Sequence, residues 1–337
     1  MAKILTPSNV KEIDLNVIKN KKIAVIGYGN QGRSQALNMR DNGLQVIIGN
    51  KEDEYKKQAE QDGFSVYPIK EAVKNADIIF FLIPDELQPV VYQEEISGNL
   101  KSGSTFVFAS GFNFFYGYVK PQDVNVLMIA PRMIGWGIRD KYLKKEGFPV
   151  LISVEKDFTG NADEILKALT FAIGALGKDG CAIYSSAREE TLIDLLSEHT
   201  WAGAILYMFR AYYEVATEFG ASPEAVILEL YGSGELAEIA ESMKDIGLFK
   251  QLRTHSHTSQ YGQLLYGPEF ITDETKKLIK KMAIEILNGK FAREWMNEQK
   301  TGMVVYNKLH ELAAEHPMEK EEEKLYKILG RLASSQS

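Results

Sequence analysis

The chain has 337 residues, 45% of them hydrophobic and 25% charged, and a formal net charge of −7, enough length for two domains with developed cores. The negative balance and the scattered lysines and arginines argue against nucleic acid and against an anionic membrane surface, since both call for a basic footprint. A single cysteine, Cys181, excludes an intrachain disulfide, no stretch of 18 apolar residues occurs, and charges interrupt the N-terminal segment where a signal peptide needs its apolar core, so a cytoplasmic protein is expected.

From residue 22 to about 184, short apolar runs alternate with helical segments. "KIAVIG", "LQVIIG", "ADIIFFLIP", "STFVFAS", "VNVLMIAP" and "VLISV" are near-continuous, as strands buried on both faces should be. Strands alternating with helices predict an α/β fold with a parallel, doubly wound sheet over residues 1–185. Beyond that the strand signal vanishes, and 186–337 reads as an all-helical domain with helices over 188–219, 223–246, 273–288 and 290–313. Thr272 or Asp273 can cap the third helix and Gly289 can end it. The tail reads as a charged, solvated helix with a polar end.

The best-defined motif is "KIAVIGYGNQGRSQALNMRDNG". Gly27, Gly29 and Gly32 make GxGxxG directly after a strand and at the start of a helix, with a second strand following, the context a dinucleotide loop requires. The first glycine permits the tight turn, the second lets backbone approach a pyrophosphate, and the third lets helix and strand pack closely. The helix N-terminus then faces the anion. Tyr28, Asn30 and Gln31 lie within the loop and are candidate cofactor contacts. After the second strand comes "GNKEDEYKK". Lys51 can meet a 2′-phosphate, whereas Glu52, Asp53 and Glu54 repel one and can accept from a ribose hydroxyl, which tilts the choice slightly toward NADH over NADPH. The alternative is that all four form a solvated helix start, where acidic residues favour the dipole anyway.

"TLIDLLSEHTWAGAILYM" places Asp194 and Glu198 four apart on one helical stripe among leucines and isoleucines. An apolar helix of this kind is expected to be buried. A buried carboxylate is neutralised, paired or metal-bound. With no basic residue inside the stretch, a hard divalent cation such as Mg²⁺ is one reading. A salt bridge to an arginine elsewhere is the other. His199 reads as a core histidine. Glu229, in "SPEAVILELYGSGELAEIAES", is a second acidic candidate within an apolar run, while Glu235, Glu238 and Glu241 read as an exposed face.

These residues resemble a known family, the ketol-acid reductoisomerases of branched-chain (valine and isoleucine) amino-acid biosynthesis. The resemblance is carried by "GYGNQGRSQALNMRDNG", "LIPDELQPVVYQEEISGNLKSG", "ASGFN", "MIAPR", "REETLIDLLSEH", "TSQYG" and "FAREWMNEQKTG", and spans nearly the whole chain at the length of the short, class I form. It implies a Rossmann domain followed by a helical, knotted domain, and a homodimer (or a larger assembly) whose helical domains intertwine. It also implies Mg²⁺-dependent alkyl migration of 2-acetolactate followed by NAD(P)H reduction to 2,3-dihydroxyisovalerate. By resemblance Asp194 bridges two Mg²⁺ ions, Glu198 binds one of them, Glu229 of a partner subunit adds a third carboxylate, Ser256 contacts the substrate carboxylate, and Pro84 joins the cofactor contacts.

Three positions depart from the family pattern. Ser110 stands where the family has a histidine in "HGFN", Arg132 where it has a lysine in "APKGPG", and Ser233 where it has a second glutamate. Lysine to arginine keeps the charge but exchanges a compact ammonium for a planar fork, which is not conservative in a tight site. Glu235 can fill in for the missing glutamate if the helix is reshaped. Trp136 and the histidines flanking Ser256, His255 and His257, point to an altered pocket. The resemblance therefore leaves two expectations: an intact reductoisomerase using one or two Mg²⁺ ions, with Ser110, Arg132, Asp194 and Glu198 catalytic, or a paralogue that reduces a 2-keto acid or derived imine without the isomerase step.

Overall fold

The computed structural model describes residues 3–331. The chain divides into two compact units, one ending at Asp194 and one beginning at Leu195.

The first unit is built on a nine-stranded sheet: β1 (Ile4–Leu5), β2 (Lys22–Ile26), β3 (Gln45–Gly49), β4 (Val66–Tyr67), β5 (Ile78–Phe81), β6 (Thr105–Phe108), β7 (Asn125–Pro131), β8 (Pro149–Lys156) and β9 (Cys181–Tyr184). Their spatial order is β1-β9-β8-β7-β6-β5-β2-β3-β4. Strands β4, β3, β2, β5, β6 and β7 run parallel. The chain proceeds outward from β2 to β3 and β4, then crosses back to β5 on the other side. That reversal creates the crevice at the carboxyl ends of the strands where open α/β sheets take ligands. The apolar runs are buried on both faces: Ile23 and Val25 lie in one core with Phe80, Leu127 and Ile152, while Ala24 and Ile26 lie in the other with Phe81, Phe106 and Phe108.

One expectation for the sheet is corrected. The run "VLISV" is not a further parallel strand, because β8 pairs antiparallel with β7, Pro131 opposite Val150. After β7 the chain makes the helix Gly135–Leu143 and returns to the same end of the sheet. A fully buried strand reads as a continuous apolar run whichever way it points, so its pattern carries no direction.

The second unit is helical throughout its described residues. The helix starting at Ala187 passes at Glu198 into a π-turn, Glu198–Ala202, and resumes as Gly203–Glu218. A second π-turn, Leu228–Gly232, follows Pro223–Ile227, and Gly234 at φ 93° opens the helix Glu235–Ile246. Thr272 caps Asp273–Leu287 by accepting from the Thr275 N–H, as its position in the sequence predicts. The expected helix over 290–313 is two, Lys290–Lys300 and Val304–Ala314, because Gly302 at φ 86° and Met303 at φ 63° interrupt it. The helix His257–Phe270 has no periodic apolar signal and was not expected. In the tail helix Pro317–Ile328, Met318 and Leu325 are buried against Tyr213, Val226 and Ile227, so its apolar edge is packed and only the rest is solvated. Many large apolar side chains of this unit are exposed, among them Trp201, Leu206, Tyr207, Phe219, Tyr261 and Phe270. No helix among the described residues is long and apolar enough to cross a membrane.

Candidate active site

The glycine loop joins β2 to the helix Asn30–Asp41. Gly27 sits at φ 91°, and a Cβ there would lie 2.6 Å from Ile83 Cγ2. A Cβ on Gly32 would lie 2.0 Å from the Gly27 carbonyl oxygen, so that carbonyl and the helix's first turn can only be this close with glycine. Around Gly29 the Cβ direction is open. The Tyr28 ring is buried edge-on against Phe64, and its hydroxyl donates to Asp62 Oδ2 at 2.9 Å, leaving its backbone to face the loop. Asn30 is exposed at the helix start, while Gln31 Nε2 donates to the Met133 carbonyl at 3.2 Å and ties the loop to the segment after β7. A cleft of about 360 Å³ opens beside the loop, with Gly29, Asn30, Arg33, Tyr55 and Trp136 in its wall. Pro84 is exposed just beyond β5.

At the end of β3, Asp53 is the N-cap of the helix Glu54–Gln61, its Oδ1 accepting from the Lys56 N–H at 3.1 Å and from Asn50 Nδ2 at 2.7 Å. Lys51 is exposed with its Nζ 4.0 Å from Asp53 Oδ2, and exposed Glu52 pairs with Lys56. The solvated-helix-start reading accounts for Asp53 and Glu54. It leaves Lys51 as the one cation of the expected quartet and places three carboxylates around it.

The segments after β5, β6 and β7 bring a second set of side chains together. Ser110 Oγ donates to Asp85 Oδ2 at 3.4 Å. Gln88 Nε2 donates to Asp85 Oδ1 at 3.1 Å, and Asn113 Nδ2 donates to Gln88 Oε1 at 3.0 Å and to the Asp85 carbonyl at 2.9 Å. Burial pushes the Asp85 carboxyl up to about 6, against the lowering hydrogen bond from Ser110, with the charges of Glu86 and Asp194 adding to the rise. Arg132, the first residue after β7, reaches the helix Ala187–Ser197 with both arms of its fork. Nη1 donates to Asp194 Oδ1 at 2.8 Å and Nη2 to Glu190 Oε1 at 2.9 Å. Glu190 is 1% exposed and its Oε2 accepts from the Gly111 N–H at 2.7 Å. Burial pushes its carboxyl up to about 7, while the Gly111 N–H and Arg132 pull the other way. One buried glutamate thus clamps the β6 loop, Arg132 and the helix of Asp194 to one another.

Of the expected ligands, Asp194 belongs to this first unit, whereas Glu198, Glu229 and Ser256 belong to the second. The burial expected for the carboxylates is not found in the single chain. The Asp194 side chain is 43% exposed, and Glu198 and Glu229 are exposed. The reason is that the helices' apolar faces remain largely open to solvent in the second unit, so an apolar surrounding in sequence does not enclose them. Both glutamates lie in π-turns, a distortion frequent at functional sites. Ser256 is the N-cap of His257–Phe270, accepting from the Ser259 N–H at 3.2 Å, which leaves its hydroxyl hydrogen free to donate. His199 packs edge-on against Phe291 as a core histidine, and burial lowers its pKa. Glu235 begins a helix just after Ser233.

The arrangement bears on a divalent ion as follows. Glu190 and Asp194 present hard oxygen donors one turn apart, which suits Mg²⁺ in kind. Both already face Arg132, so an ion at Asp194 requires the guanidinium to withdraw from it. Among the described residues of one chain, no three His, Cys, Asp or Glu side chains converge on one point. Asp85 and Glu190 were not singled out by sequence reasoning. Their common signal is position, just past the carboxyl end of a strand or facing one across a helix turn.

Comparison with known proteins places these features. Residues 17–179 match the family "Acetohydroxy acid isomeroreductase, NADPH-binding domain" and residues 188–330 match "Ketol-acid reductoisomerase, C-terminal domain". The chain is 47% identical over 329 residues (96% of this chain, 98% of the relative) to a provisionally named ketol-acid reductoisomerase 3 of Saccharolobus solfataricus. It is 40% identical over 332 residues (98% and 99%) to the ketol-acid reductoisomerase (NADP(+)) of Pyrobaculum aerophilum. Among solved structures, an NADH-preferring ketol-acid reductoisomerase from an uncultured archaeon superposes with a TM-score of 0.89 at 31% identity, covering 99% of this chain and 100% of that one. With both halves matched in order and relatives aligned end to end, the chain belongs to the ketol-acid reductoisomerase family.

Proposed function

We propose that the chain is an NAD(P)H-dependent oxidoreductase of ketol-acid reductoisomerase type, carrying out Mg²⁺-dependent alkyl migration of 2-acetolactate and reduction of the rearranged ketone. The observation that carries the reading is the meeting of Ser110, Arg132 and Asp194 at the carboxyl ends of β6 and β7, within the unit that holds the glycine loop. The helix N-terminus at Asn30, with open space at Gly29, takes the pyrophosphate, flanked by the backbone of Tyr28 and by Asn30, Gln31 and Pro84. Three carboxylates around Lys51 favour a ribose hydroxyl over a 2′-phosphate, and so NADH over NADPH.

When bound, the nicotinamide supplies a hydride to the ketone carbon, and Mg²⁺ held by Asp194, Glu198 and a partner subunit's counterpart of Glu229 polarises the substrate oxygens. Ser110 Oγ passes its proton to the oxygen that gains charge and is resupplied by Asp85, whose carboxyl, raised to about 6, still holds a proton part of the time near neutral pH. Arg132 places a fixed positive charge beside that oxygen. Ser256, its hydroxyl hydrogen free, binds the substrate carboxylate.

The exposed apolar side chains of the helical unit support a homodimer with intertwined helical domains, or a larger assembly built from it. The single cysteine supports the cytoplasm.

A second reading, reduction without isomerisation, is favoured by one observation: Arg132 occupies the carboxylate on which the alkyl migration depends. Oxidation of NADH and NADPH is followed with Mg²⁺ on 2-acetolactate and on its rearranged product, 3-hydroxy-3-methyl-2-oxobutanoate. Turnover of both supports the first reading. Turnover of the rearranged ketone alone establishes the second, and turnover of neither overturns both.

A further inference from the structure

We propose that Arg132 is a built-in competitor for the divalent cation at Asp194, so that metal entry in this chain requires one arm of the guanidinium fork to release that carboxylate. The inference rests on the Mg²⁺ reading of Asp194 and adds to it what the chain itself sets against the ion.

The two arms of the fork are not equivalent. The Nη2 arm lies on Glu190, which is 1% exposed and already fixed by the Gly111 N–H at 2.7 Å, so this end is anchored. The Nη1 arm lies 2.8 Å from Asp194 Oδ1, and that carboxylate is 43% exposed. Separating the second pair leaves Asp194 in contact with water, whereas separating the first strands a buried charge. The release therefore falls on the Asp194 side. The Nε–H is buried with no hydrogen-bond partner among the described residues, so the two carboxylates alone fix the plane of the fork.

Chemistry decides what the arginine does there. A guanidinium is planar, permanently charged and matched to two carboxylates at once. A lysine ammonium is a point charge on a flexible stem, and placed on Glu190 it leaves the oxygens of Asp194 open to a cation. Arginine at this position thus fills with a fixed side chain the role of counter-charge that a mobile ion would otherwise take. A substrate that itself binds Arg132 through its carboxylate would loosen the fork and admit the ion, which makes metal binding in this chain dependent on what else the guanidinium touches.

The test is direct binding of Mn²⁺, read as loss of the free-ion electron paramagnetic resonance signal, to the full-length protein saturated with NADH and without substrate. Wild type is compared with Arg132→Lys, Arg132→Gln and each of these combined with Asp194→Asn. Both single variants are expected to bind Mn²⁺ about tenfold more tightly than wild type, the equivalent of one charge-assisted hydrogen bond no longer opposing the ion, and Asp194→Asn is expected to erase the gain. The lysine variant keeps the charge, so its gain reports the fork and not the general field. Should it fail to fold cooperatively, the glutamine variant with its Asp194→Asn control carries the test. A gain in Arg132→Gln but none in a folded Arg132→Lys overturns the competition, as does equal or weaker binding in both, and either result leaves the Mg²⁺ reading intact. Absence of Mn²⁺ binding in every protein, wild type included, overturns the Mg²⁺ reading and the inference with it.

Discussion

Gly111→Ala places a single methyl group where the β6 loop meets the helix of Asp194. Gly111 has φ −77°, which any residue adopts, so the effect is one of space alone. The added Cβ would lie 2.3 Å from the Ala187 carbonyl oxygen and 2.8 Å from Thr191 Oγ1. A carbon and an oxygen normally stay more than about 3.2 Å apart, so loop and helix must separate by roughly 1 Å. That displacement stretches the hydrogen bond from Gly111 N–H to the buried Glu190, 2.7 Å in the native protein. Losing a hydrogen bond to a charged group costs about 1.5–3 kcal/mol, and overpacking costs a further 1–3 kcal/mol. A loss of roughly 4 kcal/mol corresponds to a Tm lower by about 8–16 °C for a unit of this size. The same shift moves Ser110 and Arg132 relative to each other, and a misplacement of about 1 Å costs on the order of 100-fold in kcat. Differential scanning calorimetry and steady-state reduction of the rearranged ketone measure the two effects. A Tm within 2 °C of wild type with unchanged kcat would refute the claim that this glycine sets the loop–helix distance.

Asp85 makes the pH prediction. Its native carboxyl sits at about 6, above the unfolded value, so the native state binds the extra proton and the contribution to stability is fully present below about pH 4 and lost as pH rises through 6. Asp85→Asn should remove that slope, worth about 2 kcal/mol after allowing for partial solvent contact, and flatten the acid limb of the rate profile. Parallel slopes for wild type and variant between pH 4 and 7 would argue against it. Asp53→Ala should cost about 1 kcal/mol as a lost helix cap and narrow the NADH preference, read as the ratio of KM values for NADH and NADPH. An unchanged ratio removes Asp53 from cofactor choice. Asp194→Asn should abolish the Mg²⁺ dependence of acetolactate turnover while retaining NADH affinity by fluorescence, and persistence of both the dependence and the turnover sinks the metal assignment.

The strands, the glycine loop and the helix capped by Thr272 were legible because each depends on neighbours in the chain: apolar runs, a turn that only glycine closes, a hydroxyl three residues from an N–H. The direction of β8 was not, since burial on both faces leaves no directional mark. Asp194 was singled out for its apolar neighbours, and its partner could not be, because Arg132 lies 62 residues away and only the fold brings the two together. The same holds for Asp85 and Ser110, 25 residues apart and on successive strands. The break at Thr301–Met303 escaped because Gly302 is a weak stop signal unless followed by a residue that also takes the left-handed region, as Met303 does. Exposure of Glu198 and Glu229 escaped for a different reason: residue type fixes what a helix prefers to bury, not whether one chain suffices to bury it.

Each π-turn holds one residue more than an α-helix needs to cover the same rise, and that surplus sets angular phase. A residue more or less turns everything downstream by about 100° relative to what precedes it. At Glu198–Ala202 and at Leu228–Gly232 the chain therefore keeps a count as well as an identity. Substitutions within these five-residue segments leave the phase alone, whereas deleting any one residue would restore ordinary α geometry and swing the downstream helical face to a new heading. Length in these segments is constrained the way gear teeth are: the number must be right even where the material is free to vary.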